Sequence, residues 1–324
     1  MILVDEVVEK CYSTLNRTRN ASSQCAPGGS LFIRGNMHYD KPSLSIAEQI
    51  KLLKSRGIKI SNMEYASKHL HFVGYYRLTG YIKHFEISRD KYQVDFEDII
   101  SLYKFDKELR LVVLDAIEAI EIAVKSCLTL TLSNEYGAHW FQRPELFGSQ
   151  KDYRNFIEIV DSEVINKSKC SRDIFINHYY TKYTFPKYPP SWMVLECLTM
   201  GTISKLFQSL NREQRKKIAK HFGLDEIILV SWLHILTYIR NVCAHHSRLW
   251  DRKLTLKPKI AKVFKKEMAN NLSFYVVAFI TKVLIKRIGI NLKWEGRLLA
   301  LFNKHSSVID LIKMGFPKNW EGFV

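Results

Sequence analysis

The 324-residue chain is poor in residues that break helices, with only eight prolines and 14 glycines dispersed along it. That scarcity argues against a turn-rich β architecture and leaves room for long helices. Cysteine is equally sparse. Cys11, Cys25, Cys127, Cys170, Cys197 and Cys243 occur singly, with no C-x-x-C pair and no Cys/His spacing of a zinc site. Neither a disulfide framework nor a metal finger is expected, and no metal or other cofactor. Cys127, Cys197 and Cys243 fall in apolar runs, where a free thiol acts as a small hydrophobe, and a reducing, cytoplasmic compartment is expected. No uninterrupted apolar run approaches the ~20 residues of a membrane span, so no membrane partner is expected. The most apolar stretch, 273–285, is interrupted by Lys282 and reads as a buried core helix. The first residues have no basic region ahead of an apolar one, so no signal peptide is expected. Internal repeats, low-complexity tracts, glycine-rich phosphate loops, GxSxG and HExxH are all missing, which removes several common enzyme classes. Acidic residues are short too: 32 Asp and Glu stand against 49 Lys and Arg, a formal charge of +17. An excess of that size, spread along the chain, suits a polyanionic partner, and nucleic acid is the simplest.

What is present reads as an all-α, multi-helix bundle with helical insertions. Residues 1–37 stand apart as a flexible extension, because Arg17–Asn36 is rich in Asn, Ser, Gly and Arg. Residues 38–324 read as one domain. Ser45 and Glu48 form a capping-box pattern for a helix reaching about Ser55, with Gly57 as its stop. Ser61-Asn62 caps a second helix. Apolar residues from Ile99 to Val124 keep a 3.6-residue period, which predicts one long helix or two over Phe96–Glu135. Residues 142–190 read as an insertion of helices and loops, closed by a Tyr- and Pro-rich loop over 179–190. That loop would line an RNA groove, form a lid, or simply cover helix ends. His139 reads as a satisfied structural histidine.

The most informative stretch is 231–252. Trp232, Leu233, Leu236 and Ile239 are spaced as one helical face. The helix then delivers Arg240, Asn241, His245, His246 and Arg248, a group that is costly to bury without partners. Its inventory lacks an activated nucleophile and a metal-ligand set. Histidine moves protons near neutrality, and the arginine fork fits phosphate oxygens. Such a group suits attack by an RNA 2′-hydroxyl on its own adjacent phosphate, since the substrate then supplies the nucleophile. On an unbroken helix, however, Arg240 and His245 lie about 140° apart. They converge on one phosphate only if the helix ends or distorts near Cys243, or if a second chain supplies half of the site. The structural alternative is an Arg and two His at a helix C-terminus, where the macrodipole favours them.

Flanking candidates follow from charge and aromaticity. Tyr76 and Arg77, in an aromatic run with nearby histidines, would contact RNA bases and phosphates, or belong to the core. Arg215 and Lys216 lie in the densest basic run and would contact phosphate, or form a solvated face. Glu118, Glu121 and Lys125 share a helix face, and the two carboxylates are expected to pair with Arg240 or Arg248 and hold their rotamers. Otherwise they form a solvated stripe containing a Glu121–Lys125 pair.

The string Arg240-Asn241-x3-His245 resembles the R-x(4–6)-H signature of the HEPN superfamily. The longer run R-N-x-C-A-H-H-x-R-L-W resembles the Abi-like abortive-infection proteins within it. Four further segments fit the same family in order, around Lys41–Leu53, Gly74–Leu78, Ala116–Ile122 and Gly137–Phe141, and so does Pro190–Gly201; the likeness covers about 38–320. The resemblance implies an all-α fold with a HEPN core near 96–141 and 190–290, often a homodimer, with metal-independent RNase activity in phage defence. Carried over by position, Arg240, Asn241 and His245 are the catalytic candidates, with His246 as the alternative base. RNA is the expected partner, and an antitoxin or regulatory partner would keep the activity silent. Two other readings remain at this stage. One is a non-catalytic RNA-binding scaffold on the same fold, associated with a small structured RNA. The other is a protein-binding helical regulator.

Overall fold

A computed structural model of the chain describes residues 42–269, 272–289 and 293–318. The expectations for residues 1–37 and for the end of the chain past 318 lie outside them. By its contacts the chain divides into Met1–Leu44 and Ser45–Val324, and the described architecture is that of the second unit.

Helix α1 (Ile46–Ser55) opens on the expected capping box: Glu48 N donates to Ser45 Oγ at 3.3 Å, and Ser45 N donates to the Glu48 carboxylate at 2.7 Å. The chain leaves it through Gly57 at φ +92°, where a Cβ would lie 2.2 Å from the Tyr92 carbonyl oxygen. Only glycine fits that approach. Short strands follow around α2 (Met63–Phe72) and α3 (Tyr75–Ile82). Strand β1 (Ile58–Lys59) pairs in parallel with β4 (Val94–Asp95), and β2 (Glu86–Ser88) pairs with β3 (Lys91–Tyr92) as a hairpin. They only tie α1 and α3 to what comes next. The fold is all-α.

The spine is α4 (Phe96–Tyr136), 41 residues with no glycine or proline, hence about 60 Å long. The sequence left open one helix or two, and it is one, because nothing in it interrupts the backbone ladder. Ile99, Leu102, Phe105, Leu109, Ile120, Val124, Leu128 and Leu132 are fully buried along it. The 142–190 region supplies α5 (Gln150–Val160) and α6 (Ile174–Lys182). Here the Tyr-rich loop is tied down by its own hydroxyls: Tyr179 donates to the Pro186 carbonyl at 2.8 Å and Tyr180 to that of Lys187 at 3.1 Å. His139 Nε2 donates to the Tyr188 carbonyl at 3.0 Å, the structural role expected of it.

Short α7 (Ser191–Val194) leads to α8 (Met200–Ser209), α9 (Arg212–His221) and α10 (Glu226–Ala244), and α11 (Phe274–Ile288) and α12 (Trp294–Lys304) complete the described helices. Helix α10 is long and apolar enough, by length and composition, to cross a membrane. Its apolar side is instead core: Leu229, Trp232, Leu233, Leu236 and Ile239 are fully buried, packed against α4 and α8. It runs antiparallel to the spine. Its start adjoins α9, which holds the far end of α4 through Lys217–Glu135 at 2.7 Å and Gln214–Tyr136 at 2.9 Å. Its end lies beside Asp106, near the start of the spine.

Candidate functional site

The 231–252 stretch folds as a core helix that stops where the polar residues begin. The helix ends at Ala244 with His245 as C-cap. His246 adopts the left-handed conformation at φ +55°. Its N–H donates to the Cys243 carbonyl at 3.1 Å, and the Ser247 N–H reaches back to that of Val242 at 2.9 Å. This is the Schellman arrangement with histidine where glycine is usual. A side chain in that conformation costs about 1–2 kcal/mol, and such outliers cluster where function requires them. The helix therefore runs one residue past Cys243, the His245 N–H still donates to the Asn241 carbonyl at 3.0 Å, and the chain turns away only at His246.

Asn241, His245 and His246 are exposed and Arg240 is half-buried. The Arg240 guanidinium approaches the Asn241 side-chain oxygen at 3.4 Å. Neither imidazole has a hydrogen-bond partner among the described residues, so both rings present free nitrogens to solvent. Cys243, between Asn241 and His245 in the chain, is not a competing nucleophile: burial, and then the nearby Asp106 carboxylate, push its thiol up to about 12.

What holds this terminus is a buried polar group that sequence reasoning missed. Asp106, fully buried on the spine, accepts from Leu249 N at 3.0 Å and Trp250 N at 2.6 Å through one oxygen. Its other oxygen accepts from the Tyr81 hydroxyl at 2.7 Å and from the Arg110 guanidinium. Burial and the adjacent carboxylate raise the Tyr81 phenol far above its usual range. Arg110 also reaches the Ser247 carbonyl at 3.4 Å. Trp250, fully buried, is edge-on to Phe105 at 5.6 Å and to His84 at 5.2 Å. The signal was present in the sequence: Asp106 and Arg110 are an i, i+4 pair lying on the same apolar stripe as Leu102, Phe105, Leu109 and Val113. A charged pair inside a buried stripe must be answered by polar partners from elsewhere.

Helix α3 supplies the neighbouring wall. Arg77, exposed, donates to the His246 carbonyl at 2.7 Å, which brings it into the cluster. Tyr76 beside it is 63% exposed, so it is not a core tyrosine. Arg248 turns away from the cluster and donates to the Gly80 carbonyl, while its own carbonyl accepts from Arg252 at 2.7 Å. Arg248 thus fastens the loop to α3.

One expectation needs correction. Glu118 and Glu121 do not pair with Arg240 or Arg248. Glu118 is exposed and Glu121 pairs with Lys125 at 3.0 Å, while Asp115 pairs with Arg297 at 2.6 Å. The reason is distance along the spine. Glu118 and Glu121 lie 12 and 15 residues beyond Asp106, roughly 18 and 22 Å past the level at which α10 ends. Arg215 and Lys216 lie on α9, beside the start of α10. Arg215 is half-buried and donates to the Gln208 and Leu210 carbonyls at 2.8 and 3.0 Å. Lys216 lines a cavity of about 450 Å³ with Lys220, Lys262, Asp225 and Glu226. Among the described residues, no group of three or more His, Cys, Asp or Glu side chains is placed to hold a metal ion.

No curated protein and no solved structure matches the chain. The family model described as Abi-like protein matches residues 68–251, more than half of the chain and narrower than the 38–320 over which the resemblance was read. That span opens just before α3 and closes on the loop that Asp106 holds. On this match the chain belongs to the Abi-like protein family.

Proposed function

We propose that this protein is a metal-independent endoribonuclease of the HEPN type, acting on RNA in the cytoplasm as an abortive-infection effector. Membership of the Abi-like family suggests phage defence; the RNase reading rests on the end of α10. The observation that supports it is that the helix ends at Ala244 and the chain turns through His246 at φ +55°, with Asn241, His245 and His246 exposed and Arg240 half-buried there.

In this reading His245, or His246 in its place, removes the 2′-hydroxyl proton. The 2′-oxygen then attacks the adjacent phosphorus and the 5′-oxygen leaves, taking a proton from an imidazolium. Arg240 holds the phosphoryl oxygens as their charge grows, and Asn241 orients the 2′-hydroxyl or His245. Arg77, fixed on the His246 carbonyl, adds a second cation for a flanking phosphate, and Tyr76 offers an exposed ring to a base. The products are a 2′,3′-cyclic phosphate and a 5′-hydroxyl. Neither imidazole has a partner within the described residues, which fits a homodimer in which one protomer provides the base and its partner the acid. The same observation fits a scaffold that grips RNA without cleaving it, so the assay must separate the two.

The test is total RNA incubated with wild type, His245→Ala and Arg240→Ala in EDTA. Cleavage leaving 2′,3′-cyclic ends in wild type and lost in both variants is the expected result. Intact RNA that co-purifies with all three proteins would sink the enzyme reading in favour of the scaffold.

A further inference from the structure

The exposed side of α10 continues from Asn241 back towards its start. His234 is seven residues before Asn241, so it lies on the same face about 10 Å along the axis. Around His234 there is a cavity of about 400 Å³ lined by Gln208, Arg215, Ile227, Val230, Ser231 and Lys259, as well as His234 itself. Nothing in the RNase reading uses it.

Its construction has two halves. The frame is pinned. Lys259 N donates to Ser231 Oγ at 2.8 Å, and the Lys259 carbonyl accepts from Trp232 Nε1 at 3.0 Å. The Arg215 guanidinium is held on the Gln208 and Leu210 carbonyls. The polar ends facing the cavity are unused: the Gln208 amide, the His234 ring and the Lys259 ammonium are exposed and make no side-chain hydrogen bond among the described residues. Fixed backbone with free donor groups is what a preorganised polar site requires. The lining carries Arg215 and Lys259 and no carboxylate. The cavity at the start of α10 differs, since Asp225 and Glu226 line it beside its lysines. The walls contributed by Ile227 and Val230 are apolar, and Ile227 is 46% exposed.

A cationic, acid-free cavity with apolar walls and free amide and imidazole groups matches a nucleotide: phosphate on Lys259, base against Ile227 and Val230, base edge to Gln208 and His234. We propose that this cavity is a subsite for a nucleotide of the same RNA strand whose phosphate sits at Arg240 and His245, so that unpaired RNA laid along α10 is the preferred substrate. A duplex would keep its base edges paired and out of reach of Gln208 and His234. This inference rests on the RNase reading for the identity of the strand.

The experiment uses the full-length protein carrying His245→Ala, so that bound RNA stays intact. It measures fluorescence anisotropy of a short unstructured RNA across a salt series, with His234→Ala/Lys259→Ala and, as a charge control, Lys51→Ala on α1. The expected result is about tenfold weaker binding for the double variant, with the salt slope reduced by about 1. The Lys51 variant should bind as its parent does. All three altered side chains are exposed, and matching thermal unfolding checks that the fold is kept. Equal binding by the double variant overturns the subsite while leaving cleavage at Arg240 and His245 standing. No RNA binding by the parent overturns both. A free mononucleotide binding as tightly as the RNA would make this a small-molecule site and overturn the strand placement. A change in oligomeric state without a change in RNA binding would assign the face to a second copy of the chain and overturn the proposal.

Discussion

Replacing Asp106 tests whether one buried carboxylate holds the whole α10 terminus. Asp106→Ala leaves Arg110, 5% exposed, without its counter-charge and strips the acceptor from Leu249 N, Trp250 N and the Tyr81 hydroxyl. Breaking a buried pair by removing one partner costs about 3–5 kcal/mol. Each orphaned buried donor adds about 1–3 kcal/mol, reduced where the loop can relax to water. A net loss of about 4–6 kcal/mol is expected, much of the 5–15 kcal/mol that a domain commonly has. Asp106→Asn keeps one carbonyl oxygen for the two loop amides and loses the charge facing Arg110, so about half of that loss is expected. Asp106→Leu with Arg110→Met removes both charges, and should recover the ion-pair share while leaving the loop amides without an acceptor. The assay is urea unfolding followed by far-UV circular dichroism, with hydrogen exchange at Leu249 and Trp250 read separately. Faster exchange at those two amides in all three Asp106 variants, graded by the loss of the acceptor, is the expected pattern. If Asp106→Ala stays within 1 kcal/mol of wild type, or if those amides keep their protection, the argument that Asp106 fastens the loop is wrong.

Further predictions concern the same terminus. His246→Gly removes the side-chain strain at φ +55° and should stabilise the protein by about 0.5–1 kcal/mol after the entropic cost of glycine, whereas His246→Val should lose about 1 kcal/mol or more; equal urea midpoints for the two would refute the strain. On the proposed RNase reading, Arg77→Ala, which deletes the donor to the His246 carbonyl, is expected to slow RNA cleavage about tenfold, the equivalent of a single charged hydrogen bond, with little change in melting temperature; unchanged turnover in single-turnover kinetics would place Arg77 outside the proposed site. His84 is driven down to about 4, by burial first and then by Lys313 and Arg248, with Asp310 opposing. Its folded value lies below its unfolded one, so the unfolded chain binds the extra proton between about pH 4 and 6.5. Stability should therefore rise through that window and fall on acidification, by about 1–2 kcal/mol once the solvent-facing part of the ring is allowed for. His84→Gln should flatten this part of the stability profile, and a profile identical to wild type would contradict the assignment.

The sequence by itself determined the helices, because their signals are local. Ser45 and Glu48 are three residues apart, and the apolar period of Ile99–Val124 needs only a neighbour on one side, although it left open whether that stretch is one helix or two. It also singles out Arg240, Asn241, His245 and His246 as candidates, because their residue types limit the chemistry they can do. Only the tertiary structure decided which charges meet. Glu118 and Glu121 looked like partners for Arg240 by composition, yet the antiparallel course of α10 along α4 sets the helix end against Asp106, 12 and 15 residues earlier on the spine. Periodicity assigns a face but no level along the axis, and the level is fixed by packing against the other helices. For the same reason the basic run alone does not show that the Arg215 guanidinium donates to the Gln208 and Leu210 carbonyls. A side chain's charge is written in the sequence. Whether that charge faces solvent, backbone or a buried partner depends on where distant segments are packed.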